Sequence, residues 1–431
     1  MIRLTRCAPR GGGVWRRRRA LFAGATVLML AAGLLSACGS GGGASASSGG
    51  KITLIDEDWY PPATFTQGVG IQWLFDEFHK THPNITIKRE ISPGPNNLIP
   101  KLLNQATTNS LPDIAIIDNE YLPSVDSTGK LLDVSGDLHG GPSAYLAGQK
   151  SIATGPTGLD GIFIGVVTLA IFYNKDMFKA AGITQVPKTW NQLLQDAKKL
   201  TNSKTYGFLF GGGQDQCATW QFNPWQWSAG GTDLPLNSKG NVQALNFWHQ
   251  LVASGATPKS VVNSCQDDTY QKFATGQAAM IENGAWDIAP LAKTKINYGI
   301  FSIPVPTSSA TLTLPLGGEM FTLPNTGNSA REKAANEFLA WSQQPSILSQ
   351  FDQKIGYVPA QTALWPSVLK RNPAWAPFVN SLAAARGRTD VVKAKYPQWA
   401  QAMSTAIAQT LLGQKSAAAA LAAAQSSYQA G

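Results

Sequence analysis

Three short clusters set carboxylate or amide side chains beside an aromatic ring: Asp58-Trp59-Tyr60, Asp118-Asn119-Glu120 and Asn283-Gly284-Ala285-Trp286. Trp220, Trp225 and Trp227 add three more rings within eight residues. Carboxylates and amides form paired hydrogen bonds with neighbouring hydroxyls, and an aromatic face packs on the apolar C–H side of a sugar ring. The chemistry these residues suit is non-covalent capture of a neutral, polyhydroxylated molecule. Each has a plain structural reading too, because buried tryptophan is ordinarily core and a strand-end aspartate often caps a helix.

Enzymatic patterns are scarce. The chain has four histidines. His79 and His82 fall three apart at a helix end, His139 lies in a glycine-rich loop, and His249 points off a helix; none has metal-ligand spacing. There is no Gly-x-Ser-x-Gly elbow, no His-Glu-x-x-His and no phosphate loop ending in Gly-Lys-Ser/Thr. No catalytic group, metal or cofactor is therefore implied. Glycoside hydrolysis needs only two carboxylates about 5 to 9 Å apart. Asp58, Asp118, Glu120, Glu282 and Glu319 keep a secreted glycosidase as an alternative.

The elements that would position these clusters alternate between strand and helix. Lys51 to Ile55 is a short apolar strand running into Asp58. Ile71, Leu74, Phe75 and Phe78 recur at helical spacing until Pro83. Ile85-Thr86-Ile87 alternates as a strand, a polar helix spans about 96–110, and Ile114 to Ile117 is an unbroken apolar run expected of a central parallel strand. The second region repeats the pattern: a strand over 168–173, a helix from a Thr189/Gln192 capping box to Leu200, and a strand over 206–210. Leu245, Trp248, Leu251 and Val252 mark a helix face, and a strand over 278–281 runs into Asn283. Ala334, Ala335, Phe338 and Leu339 line another helix, and an alanine-rich helix pair broken at Gly413 closes the chain. The class is α/β. In open parallel sheets, ligands bind beyond the carboxyl ends of the strands, where the three clusters fall.

Arg16 to Arg19 precede an apolar stretch over 20–35. As a helix it spans about 24 Å, short of a hydrocarbon core of about 30 Å, so it reads as an export signal. Leu35-Ser36-Ala37-Cys38 resembles a bacterial lipobox, which implies a signal peptide over 1–37 and a lipidated Cys38. A flexible Gly/Ser/Ala tether follows to residue 50. Arg18 to Phe22 loosely resembles a twin-arginine signal, so the export route stays open.

The whole chain carries 35 Lys and Arg against 26 Asp and Glu. Seven of the arginines precede Cys38 with no acid among them, leaving 28 against 26 and a net of +2 in the exported part. That balance is no argument for nucleic acid. The 381 residues from Lys51 onward exceed what one core holds, so two domains are expected. With Cys7 in the signal and Cys38 as anchor, Cys217 and Cys265 remain to pair in an oxidising exterior.

Longer stretches resemble the extracellular solute-binding proteins of sugar ABC importers, akin to maltose-binding protein. They are Leu111-Pro112-Asp113 with its following strand, Ile171 to Phe178, Ala181-Gly182-Ile183, Pro187 to Trp190, Phe273 to Trp286, Gly317-Gly318, Glu332 to Trp341 and Gly356 to Ala360. They cover 51–425 in the family's order. The resemblance implies a two-lobe periplasmic-binding-protein fold of type II with a hinge crossed more than once, near Val167, Pro304 and Gln344. Lobe 1 is then 51–167 with 305–344, and lobe 2 is 168–304 with 345–431. It places Trp286 at a stacking position, Trp220 near a second-lobe aromatic, and Asp118, Asn119 and Glu120 on a first-lobe polar cluster. Gly317, Gly318 and Glu319 fall on the returning first-lobe strand, Tyr357 in a shared motif, and Trp399 within one position of a family aromatic. Ile117 stands where maltose binders present tryptophan, and Val167 replaces an acidic position. The implied protein is a monomeric lipoprotein that delivers a carbohydrate to a permease. A polyamine, a glycerol phosphate or another small solute is the alternative ligand.

Overall fold

All five residues of the strand holding Ile114 to Ile117 are buried, as a position covered on both faces requires. The computed structural model describes residues 50–213 and 216–430; the signal, Cys38 and the tether up to residue 49 lie outside the described residues. In chain order the strands are β1 (Ile52–Asp58), β2 (Ile85–Ile91), β3 (Ile114–Asp118), β4 (Ile162–Phe163), β5 (Leu169–Asn174), β6 (Met280–Gly284), β7 (Tyr298–Phe301) and β8 (Glu319–Thr322). They form two sheets, ordered β2-β1-β3-β8-β4 and β6-β5-β7.

In the first sheet β1 runs parallel to β2 and β3, while β8 returns antiparallel to β3 and β4. Helix Thr66–Thr81 buries Ile71, Leu74, Phe75 and Phe78 against it. Phe75 and Phe78 meet Phe338 of helix Ser329–Ser342 edge-on at 5.2 and 5.3 Å. Helix Pro345–Ile355, assigned from sequence to the second lobe, packs on helix Thr66–Thr81 instead, with Ile355 against Gly70. Its buried face, Leu348, Phe351 and Ile355, joins the helical cover of the first sheet.

The second sheet departs from the parallel expectation. β5 is antiparallel to both β6 and β7. The stretch over 206–210 forms only isolated parallel bridges, Tyr206 with Ala278 and Leu209 with Ile281. Its Gly207 presses on the backbone of Ala197 in helix Trp190–Leu200, where a Cβ would meet the Ala197 carbonyl. That helix opens with the capping box read from sequence: Gln192 N donates to Thr189 Oγ1 at 3.4 Å and Thr189 N to Gln192 Oε1 at 3.1 Å. The alanine-rich pair is Tyr396–Leu411 and Ala417–Ala430, separated at Gly413 with φ +74°.

Antiparallel pairing has a consequence for position. Leu169 faces Gly284 in the β5–β6 register, so the carboxyl end of β6 lies where the chain enters the second sheet. Just before that entry, Val166 pairs with Val358 and Val167 with Gly317. Strand ends of both sheets therefore meet at one junction. Cys217 and Cys265 are bonded with Cα atoms 5.5 Å apart, tying helix Gln216–Ser228 to the start of helix Gln266–Ala274.

Candidate ligand-binding site

The β3–β8 register sets Asp118 directly opposite Glu319. Like charges facing across a sheet are unfavourable, and here a phenol mediates between them. Tyr60 OH donates to Asp118 Oδ1 at 3.2 Å and also to Glu319 Oε1. Tyr357 OH donates to the same Glu319 oxygen at 2.8 Å, and Gln67 Nε2 donates to Tyr357 OH at 3.5 Å. The remaining oxygens, Asp118 Oδ2 and Glu319 Oε2, are buried without a partner. Burial raises the Asp118 pKa well above the usual range, reinforced by the Glu120 and Glu319 charges and opposed by Arg388. Burial likewise raises Glu319, against the two phenol bonds.

Tyr60 is aimed by its neighbours. Asp58 takes both Arg89 Nε and Nη2 at 2.8 Å and accepts Tyr60 N at 2.6 Å. Its carboxylate thereby fixes the turn and has no face for a ligand. Half-buried Trp59 lies tilted against Tyr60 with centroids 4.1 Å apart.

The second half of the site comes from a residue the sequence reading missed. Arg388 Nη1 donates to Glu120 Oε1 at 2.6 Å, and Nη2 reaches Thr219 Oγ1 at 3.5 Å and Tyr396 OH. Its guanidinium lies 4.9 Å from the Trp220 ring and 5.0 Å from the Tyr396 ring. One buried ion pair thus connects the end of β3 with helix Gln216–Ser228, and the edge of Trp220 comes down on Gly317. Trp286, half-buried, folds back over Gly284 and stands 6.4 Å from the Tyr357 ring. Gly318, at φ +130°, presses so close to Gly165 that a Cβ would meet its carbonyl oxygen.

Tyr60, Asp118, Glu120, Trp220, Trp286, Gly317, Glu319 and Tyr357 are therefore brought to one junction. Other candidates are committed elsewhere. Asn119 holds Leu316 O through Nδ2 at 3.0 Å. Trp225 is wholly buried, with Nε1 on Glu282 Oε2 at 2.8 Å and its ring among Trp190, Phe208, Phe247 and Trp248. Trp227 donates to Asp233 Oδ1 at 2.8 Å beneath the Arg386 guanidinium. Asn283 is buried, donating to Gln266 O at 3.2 Å and accepting Gly284 N at 3.0 Å. Trp399 is core, bonded through Nε1 to Asp233 O at 2.8 Å. Cys38 lies outside the described residues.

Known proteins share this architecture. The bacterial extracellular solute-binding protein family matches residues 73–377, and the chain belongs to it. A binding protein of Brucella abortus is 24% identical over 299 residues, covering 65% of this chain and 70% of that one. The sn-glycerol-3-phosphate-binding periplasmic protein of Yersinia enterocolitica is 28% identical over 216 residues, covering 46% of this chain and 48% of its own. The fold matches the cyclic alpha-maltosyl-1,6-maltose binding protein of Arthrobacter globiformis with a TM-score of 0.72, at 23% identity, over 88% of this chain and 99% of that one. The chain is an extracellular solute-binding protein with the two-lobe fold of solved sugar-binding proteins. Among the described residues no helix is long and apolar enough to cross a membrane.

Proposed function

We propose that this protein captures a sugar or oligosaccharide outside the cell and presents it to a membrane permease, anchored by a lipid on Cys38. The carrying observation is the junction itself. Trp220 meets Gly317 and the Arg388 guanidinium, and Trp286 stands 6.4 Å from Tyr357, whose hydroxyl donates to the Glu319 carboxylate that Tyr60 links to Asp118. Rings supply apolar faces and the oxygens orient hydroxyls. Ligand enters by opening of the two lobes, which then close around it, the hinge mode of periplasmic binding proteins. We place the lobes at 51–167 with 305–355, and at 168–304 with 356–431. No covalent step is required, and the protein acts as a monomer.

A glycerol phosphate ligand is the second reading, suggested by the Yersinia relative. It would use Arg388, which Glu120 already neutralises. A thermal-shift panel of mono- and oligosaccharides, glycerol phosphates and polyamines distinguishes the classes. Saturable stabilisation by sugars alone is expected; stabilisation by the phosphates alone would overturn the proposal. Growth with labelled palmitate should mark the wild type and not Cys38→Ala, and equal labelling would refute the anchor.

A further inference from the structure

Acids outnumber cations at the junction. Asp118, Glu120 and Glu319 are 8, 3 and 5% exposed, and Arg388 is the one cation that pairs with any of them among the described residues. Arg388 is spent on Glu120. Asp118 and Glu319 are left side by side, sharing Tyr60 OH, with Asp118 Oδ2 and Glu319 Oε2 buried and unpartnered. A sugar hydroxyl can donate to those oxygens, yet it leaves two adjacent charges uncompensated in a buried place. A protonated amine supplies donors and opposite charge together. Rings adjoin the two phenols that hold the pair: Trp59 lies tilted against Tyr60, and Trp286 stands beside Tyr357. Such faces attract cations.

We propose that the ligand is an amino sugar, or an oligosaccharide containing one, whose protonated nitrogen sits between Asp118 Oδ2 and Glu319 Oε2. The proposal rests on the carbohydrate reading above and narrows it. The groups facing the pair are Tyr60, Glu120 and Arg388 at Asp118, and Tyr60, Tyr357 and Glu120 at Glu319. Burial raises both carboxyls, as expected of neighbouring acids short of a counter-charge.

The test is calorimetric titration of the full chain at neutral pH with matched probes: glucosamine against glucose, galactosamine against galactose, and the glucosamine dimer against cellobiose, with spermidine alongside. The amino member of at least one pair should bind about tenfold tighter or more. Asp118→Asn should reduce the preference, and the wild-type pairs decide the matter if that variant misfolds. A neutral sugar binding as tightly as its amino twin would overturn the inference and leave sugar capture standing. Spermidine binding alone, or no response to any sugar pair, would overturn both.

Discussion

Trp225 and Trp220 lie five residues apart on one helix and have opposite fates. Trp220 reaches the junction through its edge on Gly317 and its face on Arg388, whereas Trp225 is sealed in the second lobe with its Nε1 on Glu282. Trp225→Phe keeps a smaller aromatic ring and removes the donor, leaving a buried carboxyl without it and a gap beside it. Stability should fall by about 1–3 kcal/mol, read by urea unfolding, with ligand affinity retained; unchanged stability would contradict the core assignment. From sequence the two were indistinguishable, since both are tryptophans on a helix beside polar residues. Asp58 was opaque for a related reason. Its partner Arg89 lies 31 residues away, on the neighbouring strand, and composition near Asp58 carries no trace of it. Arg388 is the sharpest miss, because its bond to Glu120 spans 268 positions and it sits outside any helix or strand.

Elements with local rules were legible. The helix-spaced Ile71, Leu74, Phe75 and Phe78 are buried together, and the Thr189/Gln192 box caps its helix. The direction of pairing in the second sheet was not, because it is decided by contacts between strands separated by long helical insertions. One element carries a pH dependence. Helix Leu122–Asp126 ends with the Asp126 carboxylate converging with Asp160 beside Gly155. Burial, then the hydrogen bond and charge of Asp160, push Asp126 up to about 7 from 3.8. The folded state therefore holds a proton that the unfolded chain releases. The contribution is complete below pH 3.8 and is lost as pH rises through about 7. Asp126→Asn should melt higher than wild type at mildly alkaline pH, with the gap closing towards acid. Parallel melting profiles would refute the pairing.

At the scale of the molecule, two sheets meet where β3, β6 and β8 end or begin, and one buried ion pair links the end of β3 to the helix carrying Trp220. Removing one partner of a buried pair strands the other charge and costs about 3–5 kcal/mol. Arg388→Ala should therefore favour separation of the lobes in the ligand-free protein. Small-angle scattering should show a larger radius of gyration than wild type, and an identical profile would mean that Arg388 does not hold the lobes together. The two-lobe class was legible in the shared motifs; what brings the lobes together at their junction was not, because the Glu120–Arg388 pair exists only after folding.

Trp286 is the ring through which the account is most exposed. It leaves the end of β6, folds over Gly284 and faces Tyr357. If sugar is held between this ring and the oxygens around Glu319, calorimetric titration of the best-binding oligosaccharide should show one saturable site in the wild type. Trp286→Ala should weaken it by about 1–3 kcal/mol, roughly 5- to 150-fold in Kd. An unaltered Kd in a variant that melts like wild type would contradict the site.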